Sequence, residues 1–238
     1  MFSLNPSLQS YSWGSKTLIA DLRGEESPTQ HPQAELWYGA HPAAPADIAG
    51  VPLTDIIAAD PDRELGAAVR ARFGDRLPFL LKILAVAEPL SLQAHPSLVQ
   101  AQEGFRRENA QGIDVRAGNR NYRDDNHKPE LIVALTPFHA MAGFRPLAAT
   151  LELFAALDCP SLARYVGMID STGEEAVNLR MLFTTWITIP AAVRKQLIDD
   201  IIVAAKRVVA EGSAAEWQRE TLANIIELDT HYPGDVGV

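Results

Sequence analysis

Turn-forming residues recur so often through the first part of the chain that most of it reads as short segments. Pro42, Pro45, Gly50, Pro52, Gly74, Pro78, Pro89, Pro96, Gly118, Pro129, Pro137 and Gly143 cut it into short pieces. Proline removes a backbone donor and clashes with the preceding turn, and glycine weakens a helix interior. Between these breaks lie short apolar runs over 79–86, 90–93, 131–135 and 138–144. Runs of that length bounded by Pro and Gly predict strands. Two helices are expected among them. One opens with Asp60 as N-cap and Pro61 in the first turn, carries Leu65, Val69 and Phe73 at four-residue spacing, and stops at Gly74. The other covers 97–108, after Pro96.

Beyond Pro146 the pattern changes to helical spacing, with helices expected over 147–157, 174–187 and 190–211. The last of these sets Val193, Leu197, Ile201, Ala204 or Ala205, and Val208 on one apolar stripe and ends at Gly212. Ser213 and Glu216 have capping-box spacing and open a final helix through Leu228. The expected layout is a strand-rich part, a helical block and a short tail.

Charge and composition narrow the partners. The chain has 238 residues, 47% of them hydrophobic and 21% charged, which excludes wholesale disorder. Its 21 basic and 30 acidic residues leave a formal charge of −9. An acidic chain repels phosphate backbones and anionic lipid, so neither nucleic acid nor membrane is an expected partner, while a local basic pocket still allows a small anionic substrate. The single cysteine, Cys159, excludes an internal disulfide and a thiolate-rich zinc site. No signal-like start and no apolar stretch of roughly 18 residues is found, so the expected address is cytoplasmic.

Two short clusters carry the chemistry. Gln93 and His95 flank Ala94 at the end of an apolar run. On an extended strand they share a face, with Cα atoms about 6.5 Å apart. Amide oxygen and imidazole nitrogen could then reach one metal ion; alternatively, His95 caps the following helix or bonds a loop. The second cluster is Asn126-His127-Lys128-Pro129-Glu130, leading into an apolar run. Glu130 would complete a ligand set of mixed N and O donors, or the segment is an exposed polar turn with a surface ion pair.

Lys82, inside an apolar strand, requires a carboxylate, an anion or a lowered pKa unless it reaches solvent from a sheet edge. Ser91 shares the Gln93 face and binds either a ligand or backbone. The aromatics of Glu35-Leu36-Trp37-Tyr38 read as core, His139 as structural, and His31 and His231 as exposed.

Taken together these stretches resemble the type I phosphomannose isomerases, zinc enzymes of the cupin superfamily. The resemblance rests on Tyr11-Ser12-Trp13-Gly14, Glu35-Leu36-Trp37 with Gly39-Ala40-His41-Pro42, and Leu77-Pro78-Phe79-Leu80-Leu81-Lys82. It continues through Pro89-Leu90-Ser91-Leu92-Gln93-Ala94-His95-Pro96, Tyr122 with Asp124, the 126–130 cluster, and Gly143-Phe144-Arg145. It implies a mixed β and α fold: a cupin-type antiparallel β jelly-roll part over 1–145, an α-helical domain over 146–229, and the start of a return to a second sheet over 230–238.

The implied activity is interconversion of mannose 6-phosphate and fructose 6-phosphate through a cis-enediol. One zinc ion would be held by Gln93, His95 and Glu130, orienting and polarising the sugar's O1/O2 end. Lys128 is the implied proton shuttle, and Lys82 and Ser91 the implied substrate-binding residues.

The family is usually longer, and its later half supplies a fourth ligand, a histidine, and a catalytic arginine. Neither His139 nor His231 matches that ligand's context. The chain therefore looks like the N-terminal portion of such an enzyme. Self-association, or completion by the C-terminal half, is the corresponding partner expectation. The alternative is an incomplete cupin fragment acting as a metal- or sugar-binding module.

Overall fold

The computed structural model describes residues 2–170 and 172–238. The fold is mixed α and β, with small antiparallel sheets, and divides into two compact units, residues 1–90 and 91–238.

The first unit is organised by a three-stranded antiparallel sheet in the order β1 (Ser7–Gln9), β2 (Glu35–Tyr38), β5 (Leu81–Leu84). β2 is central because its alternation buries Leu36 on one face, against Ile19 of α1 (Leu18–Arg23) and Ala85, while Glu35 and Trp37 take the other. Tyr38 and Ile83 pack against the same small core. In the Tyr11–Gly14 motif, glycine is required by close packing. A Cβ on Gly14 would lie 2.7 Å from the Ala34 backbone. β3 (Asp47–Ile48) and β4 (Val51–Pro52) form a hairpin whose two loop residues, Ala49 (φ 52°) and Gly50 (φ 84°), both adopt the left-handed region that such a loop demands.

α2 (Leu53–Ala59) leads into α3 (Pro61–Phe73). As predicted, the Asp60 side chain caps α3, accepting the Arg63 amide at 3.2 Å. The single helix expected there is broken, however. Gly66 takes φ 76° and ψ 160°, which no helix accommodates.

The second unit begins with a stretch of irregular backbone and then α4 (Leu98–Ala110). After a further irregular region come α5 (Leu147–Leu157), a short 3₁₀ turn at Pro160–Leu162, α6 (Ala163–Val166), α7 (Glu175–Thr188), α8 (Ala191–Glu211) and α9 (Glu216–His231). Their core is Leu153, Leu157, Leu162, Leu182, Leu197, Ala205, Val208 and Leu222, with Tyr165 also enclosed. Of the predicted α8 stripe, Leu197, Ala204, Ala205 and Val208 are buried and Ile201 is partly buried, but Val193 is exposed at its start. Gly212 ends α8 in the left-handed region.

α9 departs from its expected start. The cap residue is Ala215, whose amide donates to Gln218 Oε1 at 3.0 Å, so Ser213 and Glu216 do not form the box, and the helix continues past Leu228 to His231. Residues 232–238 form turns, with Asp235 donating to Tyr232 and Val238 to Asp235. Among the described residues no single helix is long and apolar enough to cross a membrane.

The largest correction concerns the predicted strands. Only 81–84 of the 79–86 run pairs as a strand, and 90–93, 131–135 and 138–144 carry no ladder. A strand is stable only when its amides and carbonyls are paired and one face is covered. Leu131 is 90% exposed, Leu135 77% and Val133 73%, so these runs have the composition of strands without the neighbours.

Candidate metal and substrate site

In the first unit the strand register assembles a charged and aromatic cluster. Trp37 lies directly opposite Lys82 across the β2–β5 pair, and Glu35, two residues before Trp37, shares that face. Lys82 Nζ is 3.6 Å from Glu35 Oε2 and 4.8 Å from the centre of the Trp37 ring. Trp37 Nε1 donates to the same Glu35 oxygen at 2.5 Å. His41 stands edge-on to Trp37 at 4.9 Å and accepts the Ala43 amide on Nδ1 at 3.2 Å. Tyr11, stacked on Trp13, has its hydroxyl pKa raised by burial and then by the Glu35 charge.

Lys82 therefore combines both options its sequence allowed: an edge strand and a carboxylate partner. The partners themselves were missed, because Glu35 and Trp37 read as part of an aromatic core stretch. The signal available was the carboxylate–aromatic alternation in Glu35-Leu36-Trp37, which puts both on one face of a strand.

In the second unit Ser91, Gln93 and His95 are exposed on irregular backbone. The role of capping the next helix belongs to Ser97, not His95. Ser97 Oγ accepts the Gln100 amide at 3.3 Å, and Gln100 Oε1 accepts the Ser97 amide at 2.9 Å. Lys128 and Glu130 are exposed as well, and among the described residues neither forms an ion pair. His139, expected to be structural, is exposed on the same irregular segment.

Among the described residues no hydrogen bond or ion pair is formed by the side chains of Gln93, His95 and Glu130, which offer an amide oxygen, an imidazole and a carboxylate, a donor set of the N and O type that zinc accepts. Among the described residues no three His, Cys, Asp or Glu side chains gather as a ligand group, and no hydrogen bond joins the 91–95 and 126–130 segments. The far end of the irregular region is anchored. Arg145 donates to Thr221 Oγ1 at 3.0 Å and stacks over Trp217, while Phe144 meets Phe183 edge-on.

Residues 1–147 match the family model described as phosphomannose isomerase type I, catalytic domain. The mannose-6-phosphate isomerase of Escherichia coli (strain K12) is 39% identical over 245 aligned residues, covering 100% of this chain and 59% of that protein. The human mannose-6-phosphate isomerase is 30% identical over 259 aligned residues, covering 100% and 58% respectively. A crystal structure of mannose 6-phosphate isomerase from Salmonella typhimurium, bound to substrate (F6P) and zinc, is similar with a TM-score of 0.79 at 36% identity. That match covers 98% of this chain and 57% of that one. The chain spans 57–59% of the length of these relatives.

Proposed function

From the premise that the chain belongs to the type I phosphomannose isomerase family, we propose that it serves the interconversion of mannose 6-phosphate and fructose 6-phosphate, with one zinc ion held by Gln93, His95 and Glu130. One observation supports the ligand assignment above all. The three side chains offer N and O donors, and the structural role open to His95, capping the helix that follows, is filled by Ser97.

A bound zinc ion supplies Lewis-acid stabilisation of the negative charge that develops on the sugar's O1/O2 end. Lys128, two residues before Glu130, moves the proton. It leaves C2 of the aldose as O1 becomes protonated, which gives a cis-enediol. Proton delivery to C1, with loss of the O2 proton, completes the ketose. Lys82 and Ser91 bind the substrate. The Lys82 ammonium is suited to a phosphate oxygen, and Glu35 and Trp37 hold that ammonium in place.

In this reading residues 1–145 belong to a cupin-type jelly roll that is completed by further barrel strands. Those strands come from a C-terminal half such as the longer relatives carry, together with a histidine ligand and an arginine, or from self-association. The helical part over 146–229 and the 230–238 return follow the same plan, and the site works in the cytoplasm.

A second reading is an incomplete module that binds metal or sugar without turnover. Metal analysis of the purified chain, followed by a coupled isomerase assay with added zinc, separates the two. Zinc with turnover supports the isomerase, and zinc without turnover supports the module. A chain that takes up no zinc and shows no turnover overturns the metal-site proposal.

A further inference from the structure

α4 stands between the two proposed ligand segments along the chain and holds the approach to the second. It begins with Leu98, just after His95-Pro96-Ser97, and the Ser97–Gln100 capping box fixes its first turn. Its last turns grip residues 120–122. Arg120 is 4% exposed, and its Nε lies 3.0 Å from Glu108 Oε2. The same guanidinium donates to the carbonyls of Tyr122 (2.5 Å) and Ile113 (2.7 Å) and to Asn109 Oδ1 (2.7 Å). Glu108, equally enclosed, accepts the Tyr122 amide at 2.8 Å and the Asn121 side chain at 3.1 Å. The Tyr122 ring lies so close over Gly104 that a Cβ there would be 2.5 Å from its carbons.

A buried ion pair contributes little net stability compared with apolar residues of the same shape, so its presence calls for another explanation. What this pair determines is the position of Tyr122 on the helix. From there Asp124 Oδ1 accepts the Asn126 amide at 2.9 Å and turns the chain into the 126–130 segment.

We propose that Glu108 and Arg120 are positioning residues: by clamping residues 120–122 to α4, they set the placement of Glu130 and Lys128 relative to the Gln93–His95 segment at the head of the same helix. The proposal rests on the metal assignment made above. Its logic is that of outer-shell partners, whose removal weakens a metal site without touching a ligand.

The test is zinc affinity by equilibrium dialysis for the wild-type chain, Glu108→Gln and Gly104→Ala, with folding checked by circular dichroism and thermal unfolding. Glu108→Gln keeps the side chain's shape but leaves Arg120 without its counter-charge. Gly104→Ala displaces the Tyr122 ring and leaves the ion pair in place, so it answers the question if Glu108→Gln fails to fold. Folded variants are expected to bind zinc about 10–100-fold more weakly than wild type. Folded variants that bind like wild type overturn the proposal. If the wild-type chain itself takes up no zinc, the metal assignment fails separately. Nitrogen-15 relaxation of the amides of Asn126, His127, Lys128 and Glu130 then decides. Greater mobility in the variants supports the clamp, and unchanged mobility overturns it.

Discussion

Lys82 Nζ lies 3.6 Å from Glu35 Oε2 and 4.8 Å above the Trp37 ring, so one carboxylate serves both the ammonium and, at 2.5 Å, the indole N–H. Glu35→Ala strands two donors at once: a lysine side chain that is only 26% exposed, and the indole N–H. The expected loss is about 1–3 kcal/mol, read from urea unfolding. Lys82→Met removes the ammonium but leaves the indole N–H its acceptor, and is expected to lose less. Equal midpoints for Glu35→Ala and wild type would show that the cluster contributes nothing to the fold.

The helical core has a different vulnerability. Leu222 of α9 is fully buried and packs with residues of α5, α7 and α8 in one cluster. Leu222→Ala removes methyl and methylene groups from a site with no solvent to fill it. The expected cost is about 2–5 kcal/mol, seen as a lower thermal midpoint with loss of helical signal.

Acid should loosen the second unit before it disturbs any apolar contact. The Tyr122 amide, the Asn121 hydrogen bonds and the Arg120 charge hold the Glu108 pKa below the ordinary range. Asp170 is lowered by Thr172, its side chain and its amide, and then by the Gly173 amide. Asp200 is lowered by Ser161 and Gln196. A carboxylate whose pKa is lower in the fold contributes stability above its unfolded value, about 3.9 for Asp and 4.3 for Glu, and loses it as pH falls through the folded value. Thermal midpoints measured from pH 6 down to pH 3 are expected to fall below about pH 4. A constant midpoint across that range contradicts these assignments.

The exposed 131–135 run predicts association. Leu131, Val133 and Leu135 present uncovered apolar side chains along unpaired backbone, the kind of edge on which strands add. Placing lysine at Leu131 and Val133 together is expected to reduce the apparent mass by light scattering and leave the circular dichroism spectrum unchanged. Unaltered association in that variant would assign the contact to another surface.

Helices were the legible part of this fold because their signals are local. Ser97 after Pro96, Asp60 before Pro61, and Gly212 after the α8 stripe each act within a few residues, and all three lie at observed helix ends. Strands depend on distant partners. The 131–144 region has strand composition and no ladder, while β1 and β2 pair through only three and four residues, too few for a periodic signal. Gly66 shows the limit of spacing, since Leu65 and Val69 fit one helix but the glycine between them breaks it. At the site, the need of Lys82 for a carboxylate was readable. That the carboxylate is Glu35 follows only from the β2–β5 register.

Zinc stoichiometry and affinity of the purified chain, measured by equilibrium dialysis beside Gln93→Ala, His95→Ala and Glu130→Ala, test the central claim most directly. The account predicts one tightly held zinc per wild-type chain, with tight binding lost in the His95 and Glu130 variants and weakened in the Gln93 variant. A wild-type chain without zinc, or a Glu130→Ala chain that retains full occupancy, contradicts it.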